Sequence, residues 1–124
     1  MRIVRHCNAP DVLASQYCQA LGFQLFTRFD DRDGYSAAIA GWPGAAWHVA
    51  FVSAPEPPRS APSTEEALVI YEPDAARWQA RAEALRQAGF HDVTAPNPYW
   101  ETHGASFADR EGFRLILVRQ AWDR

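Results

Sequence analysis

The chain has 124 residues, 48% of them hydrophobic, with a net charge of −3. That length suits one compact domain with a sizeable core, and the scattered basic residues leave no nucleic-acid footprint and no polybasic membrane patch. No apolar run is long enough to span a bilayer, and the opening Met1-Arg2-Ile3-Val4-Arg5 is no signal peptide, so a cytoplasmic protein is expected. Cys7 and Cys18 lack metal-ligand or redox spacing and read as packed, reduced thiols.

Residues 2–7 alternate as a strand, and 10–20 read as a helix, with Asn8 as N-cap and Pro10 in the first turn. Residues 22–29, 35–40 and 46–53 read as strands, with Pro43-Gly44 turning between the last two. Pro55, Pro57, Pro58 and Pro62 mark 54–63 as a linker. Beyond it, 66–72 reads as a strand, 74–88 as a helix, and 91–94 as a short strand. Pro96-Asn97-Pro98 opens a loop, and 103–108 with 113–119 form a hairpin.

The elements run strand, helix, three strands, and then the same again. Two echoes support a duplication. Leu21-Gly22-Phe23 and Ala88-Gly89-Phe90 each close a helix, with glycine where a left-handed backbone ends it. Phe29-Asp30-Asp31-Arg32-Asp33-Gly34-Tyr35 and Phe107-Ala108-Asp109-Arg110-Glu111-Gly112-Phe113 share four of seven residues, in the style of a hairpin turn. The expected fold is α+β, with tandem βαβββ modules over about 1–53 and 64–120 in a single 1–124 domain, curving around a cleft.

This order resembles the glyoxalase, bleomycin resistance and extradiol dioxygenase group, the vicinal oxygen chelate superfamily. Tyr17-Cys18-Gln19-Ala20-Leu21-Gly22-Phe23 is similar to the family's helix end. Phe107-Ala108-Asp109-Arg110-Glu111-Gly112 is similar to its hairpin, with Arg110 where proline is usual, and Asn97-Pro98-Tyr99-Trp100 resembles a loop of its small bacterial branch. The resemblance implies a cleft in which His and Glu on four strands hold a divalent ion. Counting from the shared motifs puts those positions near Arg2, at Ala50, near Leu68 and at Ile116, and neither these nor the neighbours Met1, Ile3, Ala67 and Val69 can ligate in the family manner. No metal or other cofactor is expected.

Alternation then places His6, His48 and Arg114 in the cleft. Each has a plainer reading: a hydrogen-bonded structural histidine, or a surface arginine paired with Asp109 or Glu111. A two-histidine metal site at His6 and His48 would be weak without a carboxylate. Tyr99, Trp100 and His103 offer aromatic surface at the cleft mouth, or else plug the sheet end. The expected function is binding of a small, partly aromatic molecule at His6, His48, Tyr99, Trp100, His103 and Arg114 without the family metal. The alternative is an enzyme of the same superfamily, a lyase, dioxygenase or transferase using a non-standard metal site or His48 as acid and base. A homodimer is expected, because the resemblance implies pairing and the sheets have open edges.

Overall fold

A computed structural model describes residues 1–122 and divides the chain into two compact units, Met1–Ala61 and Pro62–Arg124. In the first unit, β1 (Arg2–His6) leads into α1 (Pro10–Leu21), followed by β2 (Gln24–Arg32), β3 (Tyr35–Gly41) and β4 (His48–Ser53). In the second, β5 (Ala67–Tyr71) leads into α2 (Ala75–Gln87), β6 (His91–Val93), α3 (Pro98–His103), β7 (Gly104–Ala108) and β8 (Arg114–Val118).

Each unit makes a four-stranded sheet. The orders are β1-β4-β3-β2 and β5-β8-β7-β6, the same topology repeated, with the first strand parallel to the last and the other pairs antiparallel. Strands β2 and β6, the two that follow the helices, sit at equivalent edges. The tandem βαβββ expectation is met.

Helix α1 buries Leu13, Ala14, Tyr17, Ala20 and Leu21, the spacing of one helical face. Tyr17 is its anchor, with ring centroids 5.0 Å from Phe51 and 6.1 Å from Phe23. Burying one such ring contributes about 2–3 kcal/mol before the entropy of ordering it is set against it. Helix α2 buries Trp78, Ala82 and Leu85 against its own sheet, where the Trp78 indole N–H donates to the Leu117 carbonyl at 2.9 Å. Asp74 caps α2 by accepting from the Arg77 amide at 2.9 Å. The other helix starts differently from expectation: the N-cap position of α1 is Ala9, with no side-chain cap bond, and Asn8 lies one residue earlier. Pro10 carries that start instead, since its missing N–H is one a first turn leaves unbonded anyway.

The two glycine echoes have different fates. Gly22 ends α1 at φ 71° and Gly89 follows α2 at φ 91°, with Phe23 and Phe90 buried behind them. These are equivalent places. The longer echo is not. Asp33-Gly34 joins β2 to β3 as a two-residue turn with both residues at positive φ, 56° and 85°. The segment 109–113 joins β7 to β8, whose counterpart in the first unit is the Trp42–Ala45 turn between β3 and β4. The Asp side chain also works differently: Asp109 is buried and accepts from the Glu111 and Phe113 amides at 2.9 and 3.0 Å, whereas Asp31 is exposed.

The segment 98–103, expected as a loop, is the short helix α3. Asn97 caps it by accepting from the Tyr99 amide at 3.0 Å, and Pro98 takes the first turn. Cys7 and Cys18 are not joined by a disulfide, and Cys7 falls just after β1 rather than within it. Among the described residues no helix is long and apolar enough to cross a membrane.

Candidate functional site

Register decides which side chains share a face. In the first unit Arg2, Val4 and His6 stand beside His48, Ala50 and Val52, while Ile3 and Arg5 stand beside Val49 and Phe51, the row that meets α1. His6 and His48 therefore share a face, as expected. They lie four residues apart along it, about 13 Å at a parallel-strand rise. One ion cannot bridge them.

His48 is also engaged. The Arg2 Nε–H donates to its Nε2 at 2.9 Å, and Phe26 meets its ring edge-on at a centroid distance of 6.4 Å. Gly41 is what allows His48 its place, since a Cβ there would come within 3.1 Å of the His48 Cβ. An imidazole whose Nε2 already accepts from a guanidinium carries its proton on Nδ1. It cannot take a substrate proton at Nε2 without losing Arg2.

In the second unit Ala67, Val69 and Tyr71 stand beside Arg114, Ile116 and Val118, and Leu68 stands beside Leu115. Leu68 therefore lies on the opposite face from Ile116, and its neighbours Ala67 and Val69 share the face of Ile116. Register alternation has period two, so a miscount of one residue moves a side chain to the other face. The row through Ala50 is Val4, Ala50 and Ile39; the row through Ile116 is Val69, Ile116 and Ser106. The aliphatic side chains have no lone pairs, and the Ser106 hydroxyl is a single neutral oxygen with no imidazole or carboxylate beside it, so these residues do not fit the family's ion. Among the described residues no three His, Cys, Asp or Glu side chains group closely enough to hold one.

Arg114 lies on the same face as Ile116, but its Nη1 donates to the Thr94 carbonyl at 3.0 Å, tying β8 to the segment after β6. Asp109, one of its expected partners, is committed to the turn.

The remaining expected residues come together. The Tyr99 ring lies 5.1 Å from Trp100 and 4.3 Å from His103. Two residues not singled out from the sequence join Tyr99: Tyr71 at the end of β5, and Trp122 after β8, their rings 5.5 Å apart. With Gln120 and Ala121 they line a pocket of about 360 Å³. The Gln120 amide reaches the Tyr99 hydroxyl at 3.5 Å, a long contact. Tyr99 and Trp122 are 48% and 66% exposed, apolar surface that folding has not covered. Trp100 and His103 stand behind Tyr99 and do not line the pocket. The six expected residues thus separate into His6 and His48 in the first unit and Tyr99, Trp100, His103 and Arg114 in the second.

Two βαβββ modules of identical strand order, with a helix packed on each sheet, define the glyoxalase and bleomycin resistance fold. Residues 1–52 match the YycE-like N-terminal domain and 65–119 the YycE-like C-terminal domain, together most of the chain. The chain belongs to the vicinal oxygen chelate superfamily, in its YycE-like branch. The uncharacterized protein YycE of Bacillus subtilis is 27% identical over 95% of this chain and 86% of its own length. Its crystal structure, of a protein of unknown function assigned provisionally to the glyoxalase/fosfomycin resistance proteins, superposes with a TM-score of 0.88 at 26% identity, covering 99% of this chain and 90% of that one. The fosfomycin resistance protein FosX of Mesorhizobium loti has a TM-score of 0.73 at 11% identity, over 98% of this chain and 90% of its own. The trypanothione-dependent glyoxalase I of Leishmania major has 0.72 at 11%, over 96% and 84%. At such identities the last two show the fold alone.

Proposed function

We propose that this chain binds a small, partly aromatic molecule and does so without the family's divalent ion. The observation that carries the reading is the pocket between Tyr71, Tyr99 and Trp122, three rings converging on about 360 Å³ with one amide, Gln120, to orient a guest. A flat ligand stacked there gains about 0.5–1.5 kcal/mol per ring beyond its buried area. Support for metal independence comes from Ala50, Ile116 and Val69 standing in the family's ligand rows. The enzymatic alternative through His48 is weakened by the Arg2 bond to its Nε2. A cytoplasmic homodimer completes the reading, with light scattering as its check: a mass near 14 kDa at all concentrations would rule out the dimer.

The test is a saturation-transfer NMR screen of planar heteroaromatic fragments against chelator-treated protein. Hits are expected to weaken about tenfold in Tyr99→Ala and in Trp122→Ala, the loss of roughly one stacked ring and its area. Hits unaffected by either substitution would place binding elsewhere. Elemental analysis finding about one nickel, zinc, iron or manganese ion per chain, lost on His48→Ala, would overturn the metal-free reading.

A further inference from the structure

The repeat that built two sheets also built two pockets. Tyr71 ends β5 in register with Val118, and His6 ends β1 in register with Val52. The next amides match as well: Glu72 N–H donates to the Val118 carbonyl and Cys7 N–H to the Val52 carbonyl, both at 2.9 Å. Two to four residues beyond those carbonyls come Gln120, Ala121 and Trp122 in one unit, and Ala54, Pro55 and Glu56 in the other. Each set lines a pocket together with the residue that ends the unit's first strand. Each pocket adds a tyrosine from the entry to the third strand, Tyr99 in α3 or Tyr35 at the start of β3.

Equivalent in place, the two differ in chemistry. Among the described residues, the pocket of the second unit is lined by rings, an alanine and an amide, with no charged side chain. The pocket of the first unit, about 610 Å³, adds Pro57 and Arg59 to His6, Tyr35, Ala54, Pro55 and Glu56. Its apolar wall is Pro55, whose ring lies so close to Gly34 that a Cβ on the glycine would come within 2.7 Å of the proline Cγ. The β2–β3 turn thus holds this wall in place. The His6 Nε2 lies 3.2 Å from the Glu56 carbonyl, so the imidazole is fixed as a second wall. Arg59 is the pocket's guanidinium. Its Nη2 donates to Glu56 Oε2 at 3.1 Å, but the two side chains are 89% and 73% exposed. A surface pair of that kind is worth little. Arg59 therefore exchanges one carboxylate for another at small cost, and a guanidinium receives a carboxylate through two parallel N–H bonds.

We propose that the first unit carries a second small-molecule site, at His6, Tyr35, Pro55 and Arg59, for an aromatic carboxylate. The ring lies against Tyr35 and Pro55, and the carboxylate replaces Glu56 on Arg59. This site is separate from the aromatic pocket of the second unit, and either can fail without the other.

The experiment uses benzoate, with benzyl alcohol as its uncharged counterpart, titrated into isotope-labelled full-length protein and followed by amide chemical shifts. Benzoate is expected to move the His6, Tyr35, Ala54 and Glu56 amides saturably, and benzyl alcohol to bind there about tenfold more weakly, the loss of one charge-assisted contact. Arg59→Gln should weaken benzoate by a similar factor. Glu56→Gln should tighten it several-fold, because the internal competitor for Arg59 is gone. Opposite signs for two exposed neighbours are not what general damage to the loop would give. No saturable shift, shifts confined to residues near Tyr71 and Trp122, equal binding of the alcohol, or the same direction in both variants would each overturn the proposal.

Discussion

Asp109→Ala should be among the most damaging single substitutions in the second unit. The side chain is 2% exposed and one oxygen, Oδ1, accepts from two amides, Glu111 at 2.9 Å and Phe113 at 3.0 Å. Phe113 is itself buried, so its amide has little access to replacement water, whereas Glu111 is half-buried and nearer solvent. Stranding one buried donor costs about 1–3 kcal/mol, and losing the charge-assisted part of the second bond adds about 1 kcal/mol. The total is about 2–4 kcal/mol, which at an ordinary urea dependence moves the midpoint by about 1–2 M. Asp31→Ala, in the echoed motif of the first unit, removes an exposed side chain, and its cost should be limited to the loss of a residue that tolerates φ 49° better than alanine does, about 0.5–1 kcal/mol. Urea titration followed by tryptophan fluorescence and by far-ultraviolet circular dichroism reads both variants. A loss below about 1 kcal/mol for Asp109→Ala, or an equal loss for Asp31→Ala, would refute the claim that the two motifs do different work.

Gly104→Ala should destabilise by about 1–3 kcal/mol, because the new Cβ meets the Leu117 carbonyl oxygen on the neighbouring strand. The backbone there is extended at φ −166°, so the cost is steric and a thermal melt should show it undiminished in any buffer. Asp92 accepts from Arg86 at 3.0 Å, and that hydrogen bond holds its carboxyl below the usual carboxylate range. The folded state then binds this proton less readily than the unfolded chain. The contribution is present above the unfolded value of about 3.9 and fades as pH falls through the lower folded value. An NMR titration should find Asp92 protonating below the ordinary aspartate range, and Arg86→Gln should bring it back to that range; no movement on that substitution would dismiss the pair.

Much of the architecture was legible because helix and strand periods differ, and because Gly22 and Gly89 stand where only a left-handed residue ends a helix. The longer echo was misleading in a specific way. Asp-Arg-acid-Gly suits two quite different turns, a two-residue hairpin after Arg32 and an aspartate-capped turn after Ala108, so its repetition marked turn chemistry and not position. Asn97-Pro98 carried a helix-start signal that the flanking Pro96 made look like a loop. Counting along the sequence could bring the third position only near Leu68, and strand alternation makes a difference of one residue a change of face. Tyr71 and Trp122 escaped notice because they are 51 positions apart in sequence, and only the parallel pairing of β5 with β8 brings them together. The Arg2–His48 bond was out of reach for the same reason, since it spans 46 positions.

That pairing of first strand with last has a kinetic side. Neither sheet can close until nearly all of its unit exists, since β1 waits for β4 and β5 for β8. Each closure pays the entropy of a loop of some forty residues before the parallel hydrogen bonds return anything. On a ribosome, α1 and the β2–β3 hairpin must therefore wait with Arg2 to His6 unpaired until Ser53 has emerged. The whole second sequence faces the same delay afterwards. Because β1 runs parallel to β4, no short link could join the two directly, so the delay is built into the topology itself.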